Sequence, residues 1–182
     1  MIDIINEGIV FKVSEDHKVQ TELFDDIGVL VVDNFYKNPD LVRKLIDNIP
    51  ATTHTNRGGY PAAAINVSYN MQPVVETYRY YIQTYFPNCL SDDYITSIMS
   101  QASFMINVMQ SDGNEYLPPH TDCPSTTNLA SGIFLNTPEN CSGGTSFFKD
   151  DKYLGYVKMK YNRMILYHQN VQHTAFMDYN SF

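Results

Sequence analysis

The chain's 182 residues, 43% hydrophobic and 18% charged, fit one ordinary domain (1 to 182) with a real core, and the composition is that of neither a disordered nor a membrane-embedded chain. A net charge of -8 repels a phosphate backbone and no Lys/Arg stripe reverses that locally, so nucleic acid is not an expected partner. No run approaches the roughly 18 apolar residues of a spanning helix, the acidic start "MIDIINEGIVFKVSEDHK" lacks the features of a secretion signal, and Cys89, Cys123 and Cys141 share no disulfide or zinc-ribbon spacing. The expected location is the cytoplasm.

In chain order, "IGVLVVDNFY" (27 to 36) is a β-rich apolar run, and "NPDLVRKLIDNIP" (38 to 50) predicts a helix. Asn38 can cap it, Pro39 suits its first position, Leu41, Val42 and Leu45 make its apolar stripe, and Pro50 ends it. "TNRGGYPAAA" (55 to 64) reads as a loop, and "QPVVETYRYYIQTYFPN" (72 to 88) as an amphipathic, tyrosine-rich helix closed by Pro87. From residue 103 the pattern changes to short strands with Gly, Asn, Asp and Pro turns between them: 103 to 110, 131 to 136, 143 to 148, 156 to 160, 162 to 168 and 172 to 177. A helical and mixed part over about 1 to 102 followed by an antiparallel β part over about 103 to 182 predicts an α+β domain with a β jelly-roll core on which the helices pack.

Within the β part, "PPHTDCPSTTN" (118 to 128) places His120 and Asp122 two positions apart. In extended backbone such residues point to one face, so an imidazole and a carboxylate can meet one cation while Thr121 points away. A third ligand has to come from elsewhere. His17 and His54 lie in the N-terminal part; His168 and His173 lie on the expected strands. Two histidines and a carboxylate on one face form the facial triad of non-haem iron(II) oxygenases, although zinc hydrolases also use such a set. An isolated His-x-Asp is more often an ordinary polar loop than a metal site.

The segments "DGNEYLPPHTD" (112 to 122), "GIFLN" (132 to 136), "CSGGTSFF" (141 to 148) and "NRMILYHQNVQHTA" (162 to 175), in that order, resemble the 2-oxoglutarate and iron(II)-dependent dioxygenases. The likeness is to the prolyl-hydroxylase-like branch and its uncharacterised relatives. It covers roughly 103 to 177 and, more loosely, "VVDNFYKNPDLVRKLI" (31 to 46). The resemblance implies a double-stranded β-helix (cupin-like) with Fe(II) at one mouth, held by His120, Asp122 and His173, the last standing before Thr174 as the family's distal histidine stands before Ser or Thr. His168 competes with His173 for that role.

It further implies 2-oxoglutarate as co-substrate, O2, hydroxylation of a peptidyl side chain or small molecule, and a contact from Tyr116 to the co-substrate. The family's basic residue after the distal histidine is missing: "TAFMDYNSF" follows His173 and contains none. Arg163, at the start of a strand that ends near the expected metal, is the substitute anchor for the distal carboxylate, with Lys149 and Lys158 behind it. The absent arginine also leaves open a metal-binding or structural jelly roll without turnover, or a metal enzyme that uses no oxo acid.

Overall fold

The computed structural model describes residues 7–48, 62–65, 71–89, 104–107, 118–124 and 128–176. Its elements, in chain order, are α1 (Glu7–Val10), β1 (Lys18–Phe24), β2 (Ile27–Asp33), α2 (Pro39–Asp47), β3 (Ala62–Ile65), α3 (Gln72–Tyr85), β4 (Phe104–Asn107), β5 (Leu129–Phe134), a short 3-10 turn (Pro138–Asn140), β6 (Gly144–Lys149), β7 (Lys152–Lys158), β8 (Arg163–His168) and β9 (Gln172–Phe176). The fold is α+β. Every strand pairing is antiparallel: one sheet runs β1-β2-β8-β5, a second β7-β6-β9, and β3 pairs with β4. Neither larger sheet closes on itself.

Two strands explain how the layers stack. On β2 and β8, Leu30, Val32, Met164 and Leu166 join one apolar cluster with Val42 and Leu45 of α2 and Val74, Tyr78 and Ile82 of α3. The alternate residues Val29, Val31, Ile165 and Tyr167 join another with Phe147 of β6 and Val157 of β7. The four-stranded sheet is therefore covered by helices on one face and by the three-stranded sheet on the other. A strand buried on both faces has no use for polar alternation, which is why "IGVLVV" is a continuous apolar run. Each such fully buried side chain stabilises by about 1.5–3 kcal/mol.

Helix α2 starts at Pro39 as expected, and α3 presents Val74, Tyr78 and Ile82 at fourfold spacing to the sheet. Two strands depart from expectation. Ala62–Ile65 form β3 where a loop was expected through residue 64; the backbone pairing with β4 makes the strand, since alanine has little preference for one. β1 is a strand not expected above, although Val19, Thr21 and Leu23 alternate with Lys18, Gln20 and Glu22; it is an edge strand with Leu23 72% exposed. Among the described residues no helix is long and apolar enough to cross a membrane.

Candidate metal centre

His120 and His173 face each other across an isolated antiparallel bridge. The His120 N–H donates to the His173 carbonyl at 3.0 Å, and the His173 N–H donates back to the His120 carbonyl at 2.9 Å. Directly opposed residues project their side chains to the same face, and the two imidazole centroids lie 4.7 Å apart. Asp122, two residues beyond His120, is pinned by its own N–H donating to the Gln169 carbonyl at 3.1 Å. The turn between β8 and β9 thus clasps the segment that carries two of the three groups.

The side chains converge. One ligand atom from each of His120, Asp122 and His173 lies within 4.8 Å of the other two. Asp122 Oδ1 is 3.8 Å from His120 Nε2, and Asp122 Oδ2 is 3.7 Å from His173 Nε2. Those separations are too long for hydrogen bonds. They are slightly wider than the ~3 Å between neighbouring ligands on an ion with bonds of about 2.1 Å.

Hydrogen bonding also assigns which nitrogen of each ring carries a proton. His120 Nδ1 lies 3.1 Å from the Pro118 carbonyl, and His173 Nδ1 lies 3.0 Å from the Val171 carbonyl. A carbonyl only accepts, so each Nδ1 carries a proton and each Nε2 is the nitrogen on the side of Asp122. Burial lowers the pKa of His173, against the opposing pull of the Val171 carbonyl and the Asp122 charge and with a small further push from His120. A buried neutral imidazole is the form that binds a metal. Side-chain exposure rises from 9% at His173 to 30% at His120 and 41% at Asp122, so the set is anchored inside and open outward.

His168 occupies a different place. It alternates with Met164 and Leu166 onto the helix side of β8, where its ring stands edge-on to Phe86 at 5.3 Å and its Nδ1 lies 3.7 Å from Cys89 Sγ. His17 packs edge-on to Tyr81 at 5.9 Å. His54 and Tyr116 lie outside the described residues.

The expected role of Arg163 as co-substrate anchor meets a competitor inside the chain. Its Nε donates to Asp33 Oδ1 at 2.7 Å, its Nη2 to Asp33 Oδ2 at 3.1 Å and its Nη1 to the Lys158 carbonyl at 2.9 Å. The fork that suits a ligand carboxylate already holds one. Arg163 also sits at the other end of β8 from His168 and the turn that clasps Asp122. Lys149 pairs with Asp25 and Asp26. Lys158, with Tyr156 and Phe176, lines a cavity of about 320 Å³. Tyr156 and Phe176 stand on the face of the three-stranded sheet turned away from Phe147 and His173.

A residue that sequence reasoning passed over is Tyr167. Its ring stands edge-on to His173 at 5.0 Å and to Phe147 at 5.2 Å. Its alternation with Ile165 toward the second sheet was the available signal.

Residues 16–154 match the family described as "Family of unknown function (DUF6445)". The chain belongs to that family. The matched stretch contains His120 and Asp122 and stops before His173. No curated protein and no solved structure matches the chain.

Proposed function

We propose that the chain is a non-haem iron(II) oxygenase that uses 2-oxoglutarate and O2 to hydroxylate a peptidyl side chain or a small molecule. The observation that carries the reading is the convergence of His120, Asp122 and His173, with each Nδ1 held by a backbone carbonyl and each Nε2 on the side of Asp122. Two imidazoles and one carboxylate hold Fe(II) on one side and leave the others for exchangeable ligands. The two packed antiparallel sheets, with His120 bridged to the β9 edge of the second, are consistent with a double-stranded β-helix whose metal sits at one mouth. The free thiols of Cys89, Cys123 and Cys141 suit a reducing cytoplasm.

Iron at such a site supplies the oxidising chemistry: the oxo acid loses CO2 and takes one oxygen atom of O2, and the other becomes the product hydroxyl. The chain's own residues supply geometry. The Pro118 and Val171 carbonyls fix the ring orientation of the two histidines. The enclosed His173 side keeps water from the inner ligand, and the more exposed Asp122 side admits substrate.

A second reading, an iron or zinc centre without an oxo acid, or a binding module without turnover, is favoured by one observation: Arg163 is held by Asp33. One experiment separates them. Protein loaded anaerobically with Fe(II) is titrated with 2-oxoglutarate while the visible charge-transfer absorption is followed, and O2 is then admitted and succinate measured. One iron per chain, a new band and succinate are expected. Iron binding with no oxidative decarboxylation of 2-oxoglutarate or any other 2-oxo acid leaves only the metal centre standing.

A further inference from the structure

Tyr167 lies beside the candidate centre with an unused hydroxyl. It is 5% exposed, on the face of β8 that meets the second sheet, and its ring contacts are His173 and Phe147. Two other buried phenols differ, whereas Tyr36, 2% exposed in the helix-side core, likewise makes no hydroxyl hydrogen bond among the described residues, so the place of Tyr167 beside His173 is what singles it out. The Tyr78 hydroxyl is bonded to Ser131 at 2.5 Å, and the Tyr81 hydroxyl is sealed in the apolar core with no partner. The Tyr167 hydroxyl makes no hydrogen bond among the described residues and is not sealed as that of Tyr81 is.

A phenylalanine would fill the same space against Phe147, and the Tyr167 hydroxyl is neither sealed from solvent nor bonded within the described residues. Beside Tyr167 lies the most buried of the three candidate metal-binding side chains, so its hydrogen is open to a molecule that displaces water at that centre. A phenol fixed between two rings is a donor already oriented before the ligand arrives, which is the arrangement that stabilises negative charge most effectively.

We propose that Tyr167 is a ligand-binding residue of the metal centre, donating a hydrogen bond from its hydroxyl to a small anionic ligand held on the metal beside His173. The ligand class is a carboxylate, an oxo acid or an anion of similar size. The inference rests on the metal reading of the centre and not on the identity of the oxo acid.

The test uses the full chain loaded with Co(II), whose visible spectrum reports both metal binding and ligand exchange, with azide as the anion. Wild type, Tyr167→Phe and Tyr153→Phe are compared, Tyr153 being an exposed tyrosine of β7. Tyr167→Phe is expected to bind Co(II) within about threefold of wild type and azide about ten- to a hundredfold more weakly, the range of one lost hydrogen bond to a charged group. Tyr153→Phe is expected to match wild type in both. Equal azide affinity in wild type and Tyr167→Phe, or a cobalt spectrum that azide does not move, overturns the assignment and leaves the metal centre intact. A larger loss of Co(II) affinity in Tyr167→Phe also overturns it, since the phenol then supports the His173 ring and not a ligand. Failure of wild type to take up Co(II) overturns the metal reading and this inference with it.

Discussion

His120 and His173 exchange backbone hydrogen bonds in both directions, at 3.0 and 2.9 Å, so the strand register itself sets the spacing of their imidazoles. This pairing makes the triad a property of the sheet, and a register slip of one residue turns one imidazole to the other face.

Removing any of the three groups is expected to cost metal affinity without unfolding the chain. His120→Ala, Asp122→Ala and His173→Ala should each weaken Fe(II) or Co(II) binding by about a hundredfold or more, since even outer groups that only orient a ligand are worth about 10- to 100-fold. Far-UV circular dichroism should be unchanged for His120→Ala, whose side chain is partly exposed. Wild-type metal affinity in any of the three would remove that residue from the set.

His168→Ala distinguishes the two candidate distal histidines. Its contacts are Phe86 and Cys89 at the end of α3, on the helix side of the sheet. Metal affinity should stay within about threefold of wild type while stability falls by about 0.5–3 kcal/mol from lost packing, measured by urea unfolding. The opposite pattern, stable protein without metal, makes His168 the ligand.

How much of this was legible depended on the range of the interaction. The period of two on a strand puts His120 and Asp122 on one face, and residue order alone reveals it. The choice of His173 over His168 rested on resemblance, because both lie on strands and only the alternation of β8 against the helices separates them. The partner of Arg163 was illegible: Asp33 is 130 positions away, and a charged residue in sequence does not announce which opposite charge it meets. β1 has its signal in the alternation of Val19, Thr21 and Leu23 with Lys18, Gln20 and Glu22 and lacks the apolar run that marks β2, while a tyrosine in a buried strand, such as Tyr167, reads as packing.

Gly144 links the second sheet to the site. A Cβ built there would lie 2.1 Å from the Val157 carbonyl oxygen, and the obstacle is backbone that cannot rotate away. Gly144 pairs with Lys158 of β7 and Phe176 of β9, on the same strand pair whose other end sets Phe147 opposite His173. Gly144→Ala should therefore cost about 1–3 kcal/mol or more of stability and weaken Co(II) binding as β9 shifts. A melting temperature equal to wild type would show that the close approach is not there.

Arg163 and Asp33 give the last prediction, with a sign in pH. Hydrogen bonds from Arg163, opposed by burial and aided by Lys160, hold the Asp33 carboxyl below its ordinary range. The folded chain then binds this proton more weakly than the unfolded chain does. The stabilisation is full above the unfolded pKa of about 3.9 and is lost as pH falls through the lower folded value. With side chains only 12% and 17% exposed, breaking the pair by Arg163→Ala should cost about 3 kcal/mol at neutral pH. Asp33→Asn should start less stable at pH 7 and lose less than wild type on acidification from about pH 4 to pH 2, followed by thermal melting. Fe(II) affinity should be unchanged in both, and 2-oxoglutarate affinity in Arg163→Ala should follow wild type once the protein is folded. If Arg163→Ala keeps its stability but loses about ten- to a hundredfold in 2-oxoglutarate affinity, the guanidinium serves the co-substrate after all and its bond to Asp33 is incidental.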